Sequence, residues 1–175
     1  GCAICLGVEQ DRAQVNVMMS VPVEIQLYLA READTLALGA KIAGFVAQGM
    51  FIELHGNLGS GKTTLARGLL RGLGFVEKVK SPTYTLVEHY KLPELDLYHF
   101  DFYRFNDASE LADAGFRDHF EQHNVCVVEW PERAFGILPA ADMEIYLAIE
   151  GEGRRARIGA ETQRGKNCLV QMKAK

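Results

Sequence analysis

One stretch constrains this chain more than any other. Gly56-Asn57-Leu58-Gly59-Ser60-Gly61-Lys62-Thr63 fits the phosphate-binding pattern G-x-x-x-x-G-K-[ST] without a mismatch. The apolar run Met50-Phe51-Ile52-Glu53-Leu54-His55 precedes it as a strand should, and Thr64-Leu65-Ala66-Arg67-Gly68-Leu69-Leu70 follows with helical spacing. Strand, glycine loop and helix in that order read as a nucleotide site.

Polyphosphate chemistry explains the residue types. Glycines at 56, 59 and 61 let the backbone bend so that several N–H groups converge on one anion. The helix that starts near Gly61 adds the positive end of its dipole. Lys62 is expected at the β- and γ-phosphates, and the Thr63 hydroxyl on Mg²⁺. The nucleotide contacts expected from the loop are Gly56, Asn57, Leu58, Gly59, Ser60, Gly61, Lys62, Thr63 and Thr64.

The 175 residues, 48% of them hydrophobic, are enough for one domain with a real core. A formal charge of −4 argues against a surface built to grip nucleic acid phosphates, so DNA is not expected as a partner. No apolar run reaches the roughly 18 residues of a membrane span, and the start lacks the basic leader of a secretory signal. Cys2-x-x-Cys5 has no second half to complete a metal site, and together with Cys126 in an apolar run this usage fits a reducing cytoplasm. Residues 1–20 are expected to be an N-terminal extension, non-native or disordered, with Met18-Met19 as a candidate start. Residues 21–165 read as the domain and 166–175 as a C-terminal tail.

Within the domain, Val23–Leu29 alternates as a half-buried strand. A helix is predicted from Glu32 to Gln48 on the stripe Leu38, Ile42, Phe45 and Val46, stopped by Gly49. Strands are predicted around Thr85–Tyr90 and Leu95–Tyr103, joined as a hairpin at Leu92-Pro93-Glu94. A helix from Asn106 or Asp107 to Phe120 follows, with Asp107 and Glu110 spaced as a capping box. Val125-Cys126-Val127-Val128-Glu129 reads as a strand buried on both faces, and Met143–Ile149 pairs with Arg155–Ala160 across a turn. The expected fold is α/β: a P-loop NTPase-like three-layer sandwich around a central, partly mixed β-sheet.

A Mg²⁺ site needs a carboxylate at a strand end beside the loop. Asp101 and Glu129 are the two candidates, and the more fully apolar strand favours Glu129 as metal ligand, directly or through water. Asp101 would then position a water, the metal shell or the hydroxyl-rich loop Ser81–Thr85. Trp130 reads equally well as a core anchor or as a neighbour of the nucleotide. His99, Tyr103 and Arg104 read also as partners of surface acids. His55, His89, His119 and His123 show no metal-ligand spacing, and Arg154, Arg155 and Arg157 read most simply as a solvated hairpin face.

The loop Gly56–Thr64 is followed in order by Ser81-Pro82-Thr83-Tyr84-Thr85-Leu86-Val87-Glu88, His99-Phe100-Asp101-Phe102-Tyr103-Arg104 and Val128-Glu129-Trp130-Pro131-Glu132. With these segments the chain resembles the TsaE (YjeE) family of bacterial P-loop ATPases, from about residue 22 to the 160s. The resemblance implies ATP (or ADP) and Mg²⁺ as cofactors and a cytoplasmic protein needed for threonylcarbamoyladenosine in tRNAs that read ANN codons. It implies work with TsaB, TsaD and TsaC, docking on TsaB–TsaD, and tRNA as an indirect partner through that complex. It implies catalytic roles for Lys62, Asp101 and Glu129, Mg²⁺ on Thr63 and Glu129, a switch-like loop at Ser81–Thr85 including Thr85, and Thr35 near the adenine. A small-molecule kinase using the same loop is the competing reading; the chain shows no obvious lid insertion after the last buried strand.

Overall fold

The computed structural model describes residues 22–113, 115–120 and 123–175; the residue 1–20 extension and the Cys2/Cys5 pair lie outside them. Seven strands form one sheet: β1 (Ile25–Leu29), β2 (Phe51–His55), β3 (Val87–Lys91), β4 (Asp96–Asp101), β5 (Asn124–Glu129), β6 (Met143–Glu150) and β7 (Gly153–Gly159). Their order is β1-β7-β6-β2-β5-β4-β3. β2 runs parallel to β5 and β6, and β4 runs parallel to β5, while β1, β3 and β7 pair antiparallel at the two sides. The sheet is therefore mixed, as expected.

β5 is an interior strand, between β2 and β4, because its apolar run has no polar face to show water. Val125 and Val127 join the core under α1 (Glu32–Ala43), α2 (Lys62–Gly72) and α4 (Gln163–Ala174), whereas Cys126 and Val128 join an aromatic cluster on the opposite face. Phe100, Phe102, Phe116 and Phe120 interlock there, mostly edge to face. This second layer, made of α3 (Ala108–Asp113) and 3-10 turns at Phe116–His119 and Pro131–Ala134, packs on the β2-β5-β4 part of the sheet. On the β1-β7-β6 part Tyr28 and Ala148 are exposed, and about half of the Arg155 and Arg157 side chains face solvent.

Gly39, Gly68 and Gly72 set how closely α1 and α2 approach, the last against Ala40 and Ala43. A Cβ on Gly39 would strike the backbone of Leu65 and Leu69, and one on Gly68 would strike the backbone of Leu36. The same approach carries Thr35, buried in α1, to the start of α2: its methyl lies 3.7 Å from where a Gly61 Cβ would be.

Three expectations change. The first helix ends at Ala43, because Gly44 weakens it and Phe45 and Val46 close tighter i−3 hydrogen bonds to Ile42 and Ala43. The helix expected through Phe120 breaks at Gly115, whose φ of 67° is left-handed, so that Phe116 can turn into the aromatic core. The supposed tail at 166–175 belongs to α4, capped by Thr162 Oγ1 accepting from the Gly165 N–H at 3.0 Å, with Leu169 and Met172 in the core.

Asp142 fastens the start of α4 to the sheet. It accepts from the Phe51 N–H (2.8 Å), the Thr162 hydroxyl (2.6 Å) and Arg164 (2.8 Å). Burial alone would raise its carboxyl, but Arg164, Thr162 and the Phe51 N–H outweigh burial and hold it below the usual range.

Candidate functional site

The glycine loop closes at the end of β2, where a change of backbone direction is forced before α2 can pack. Gly56 (φ 147°) and Gly61 (φ 104°) occupy conformations that L-residues rarely adopt, and a Cβ at 56 would strike Ser60 Oγ and the Leu147 carbonyl. Gly61 accepts the first bond of α2, from the Leu65 N–H at 2.9 Å. Lys62 folds back so that Nζ donates to the carbonyls of Gly56 (2.6 Å) and Asn57 (3.0 Å) and lies 4.3 Å from the centroid of the Trp130 ring. Burial lowers its pKa, against the opposing pull of Glu129, Asp101 and Glu132.

Register brings the two acids together. β4 and β5 run parallel with Asp101 opposite Glu129, and both side chains are buried. Thr63 Oγ1 donates to Glu129 Oε1 at 3.0 Å, and His99 Nε2 lies 2.9 Å from the same oxygen. Asp101 accepts from the Tyr103 N–H (2.9 Å) and the Thr83 hydroxyl (3.2 Å). Burial raises the Asp101 carboxyl, and the charge of Glu129 raises it further.

Among the described residues two non-glycines have positive φ, Leu86 at 68° and Trp130 at 58°. Both flank this centre, at the ends of the hydroxyl loop and of β5, and such conformations cost roughly 1 kcal/mol or more unless the surroundings hold them. At Trp130 the turn carries the indole over Lys62 and against Tyr103, with ring centroids 5.0 Å apart.

These groups line one cleft of about 460 Å³, within the size range of small-ligand sites. Leu58, Gly59, Gly61, Lys62, Thr63 and Thr64 form its floor, Leu29–Glu32 and Thr35 one wall, Glu152–Arg154 another, and Thr83, Asp101, Tyr103, Glu129 and Trp130 its far end. Gly56, Asn57 and Ser60 shape the loop from behind, the first two through the Lys62 bonds. Thr85 does not line the cleft. Its hydroxyl bonds Glu88 at 2.9 Å, because the Leu86 turn redirects the chain, and Thr83 reaches the acids instead.

Two residues of the site carry no clear mark of it in the sequence. His99 is fully buried beneath Glu129 rather than paired with a surface acid. Arg154 leaves the hairpin face and donates to the carbonyls of Ser60 (3.1 Å) and Gly59 (2.9 Å), so the β6–β7 turn braces the glycine loop. Spacing two residues before Asp101 is the one signal for His99; none exists for Arg154. Arg155 and Arg157 do stay at the surface, on Glu150 and Glu24, and Arg104 stacks on exposed Tyr84. Across β2 and β6, Glu53 pairs in register with Glu144, and with His55 their ligand atoms lie within 4.8 Å of one another, a grouping that linear spacing does not reveal.

The donor set suits a phosphate and a hard cation: a positive helix end, a buried ammonium, and a hydroxyl whose proton is already given to a carboxylate. Fold and site together define an α/β protein with a glycine-loop cleft between strand ends and a helix N-terminus. The family model for threonylcarbamoyl adenosine biosynthesis protein TsaE matches residues 29–157, and the chain belongs to the TsaE family. The tRNA threonylcarbamoyladenosine biosynthesis protein TsaE of Haemophilus influenzae is 41% identical over 147 residues, covering 81% of this chain and 93% of that one. The Bacillus subtilis protein of the same name is 38% identical over 122 residues, 70% of this chain and 76% of its own. The crystal structure of Bacillus subtilis YdiB superposes with a TM-score of 0.75 at 26% identity, over 86% of this chain and 95% of that one.

Proposed function

We propose that this protein binds ATP with Mg²⁺ in the glycine-loop cleft and hydrolyses it in the service of threonylcarbamoyladenosine formation on tRNAs that read ANN codons, together with TsaB and TsaD. The pathway assignment rests on family membership and on the names of its relatives. The observation that carries the chemistry is the 3.0 Å bond from Thr63 Oγ1 to Glu129 Oε1.

A hydroxyl has one proton and two lone pairs. With the proton committed to Glu129, the lone pairs of Thr63 are directed away from the acid and suit a cation. Lys62 exchanges the Gly56 and Asn57 carbonyls for phosphate oxygens, and the loop N–H groups hold the rest of the anion. Mg²⁺, when bound, supplies positive charge against the phosphate oxygens. Asp101, held by Tyr103 and Thr83, orients the attacking water.

Turnover by the protein alone is expected to be slow. Arg104 lies on Tyr84, and Arg154 is bonded to loop carbonyls, so neither sits as a charge at the transferred group. Phosphoryl transfer without such a charge loses on the order of 10³-fold or more. The loop bearing Tyr84, 81% exposed, is tied to Asp101 through Thr83, so a protein packing on Tyr84 would act directly on the acid.

Phosphate release measured with and without TsaB–TsaD tests this. Weak basal release, stimulation by the pair, and loss of both in Lys62→Ala are expected. A fast rate indifferent to those partners, or transfer of phosphate to a small-molecule acceptor, contradicts it.

A further inference from the structure

Glu129 is held by more than Thr63. His99 has no exposed surface, its Nε2 is 2.9 Å from Glu129 Oε1, and its Nδ1 has no hydrogen-bond partner among the described residues. We propose that His99 is a positioning residue, a buried imidazole that fixes one oxygen of Glu129 so that the other is presented to the metal. The proposal rests on the Mg²⁺-nucleotide reading of the cleft.

The hydrogen-bond count supports it. A carboxylate oxygen accepts two donors comfortably, and Oε1 has two, the Thr63 hydroxyl and His99 Nε2. Among the described residues Oε2 accepts no hydrogen bond, and Glu129 lines the cleft. The carboxylate is thus pinned at one end and free at the other, which is what a cation or its water requires.

The tautomer follows from the same network. Glu129 accepts, so Nε2 carries the hydrogen. His99 is therefore a fixed donor. It is built in by strand geometry: on β4 it lies two residues before Asp101, opposite Val127 of β5, so its side chain shares the face of Asp101 and Glu129. Partners of metal-binding carboxylates that stand one shell back commonly set metal affinity by 10–100-fold.

Amide replacements separate this role from packing. The nitrogen of Gln can stand near the position of imidazole Nε2, whereas that of Asn stands near Nδ1. ATP affinity is measured by calorimetry with Mg²⁺ and with EDTA on wild type, His99→Gln, His99→Asn and His99→Leu, with a thermal melt of each. The ratio of the two affinities is expected to fall about 10-fold in His99→Asn and His99→Leu, with EDTA affinity unchanged, and to be largely kept in His99→Gln. If His99→Leu does not fold, the two amides decide.

Wild-type ratios in His99→Asn, or a His99→Gln ratio as low as that of His99→Asn, overturn the proposal while leaving the nucleotide reading intact. Equal loss with Mg²⁺ and with EDTA assigns His99 to packing and also overturns it. Wild-type protein that binds no ATP, or binds it equally with and without Mg²⁺, contradicts the underlying reading and this proposal together.

Discussion

Lys62 and Trp130 face each other across the cleft, the ammonium 4.3 Å from the centre of the indole ring. Neither is held there by chance of sequence neighbourhood: one begins α2, the other ends β5 in a left-handed turn, and the parallel pairing of β2 with β5 brings the two ends together. The contact joins the residue expected at the phosphates to the only tryptophan in the chain.

Tryptophan emission should therefore report nucleotide directly. When Lys62 leaves the Gly56 and Asn57 carbonyls for phosphate, the charge over the indole moves. Adding Mg-ATP is expected to change Trp130 fluorescence with a midpoint equal to the calorimetric Kd, and Lys62→Ala is expected to abolish the change. A flat titration in protein that binds ATP by calorimetry places the indole outside the response.

Backbone proximity of α1 and α2 yields a stability prediction. Gly39→Ala or Gly68→Ala drives a methyl into the carbonyl of Leu65 or of Leu36, and backbone cannot rotate away as a side chain can. Each is expected to cost about 2 kcal/mol or more in urea denaturation, within the range of overpacked cores. Because Thr35 and Gly61 ride on these helices, ATP affinity should fall as well. Wild-type stability in both variants contradicts the close contact.

Glu144 gives a pH dependence of defined sign. Burial first, and then the neighbouring Glu161 and Glu53, push its carboxyl up to about 7. A folded-state value above the unfolded one means the folded protein binds the extra proton. Its contribution to stability is then present at low pH and is lost as pH rises from about 4.5 through about 7. Glu144→Gln should therefore be more stable than wild type at pH 8, by about 1 kcal/mol after solvent screening, with the difference vanishing near pH 4. Equal pH profiles for the two proteins contradict the shift.

Features written in contiguous residues are legible in the sequence itself. The glycine loop, the doubly buried β5, the hairpin of β3 and β4 and the candidate acids Asp101 and Glu129 at strand ends all follow from runs of a few residues; that the two acids stand side by side does not. Features set by distant pairing are not. His99 matters because β4 lies beside β5 in one register, Arg154 because the β6–β7 turn lies over the loop, and Thr83 rather than Thr85 because Leu86 takes a left-handed turn. α4 is hidden because only Gly165, Leu169 and Met172 of its twelve residues are buried, too narrow a stripe to read among its polar neighbours.

The central claim is that Glu129, bonded to Thr63, serves the metal with its free oxygen, and Glu129→Gln tests it most directly. The amide keeps the shape and can still accept from Thr63, but it loses the charge that a cation answers to. ATP binding in EDTA should stay within a few-fold of wild type, and Mg²⁺-dependent phosphate release, measured with TsaB–TsaD present, should fall by about 100-fold. Release at the wild-type rate would contradict the account and move the metal to Asp101.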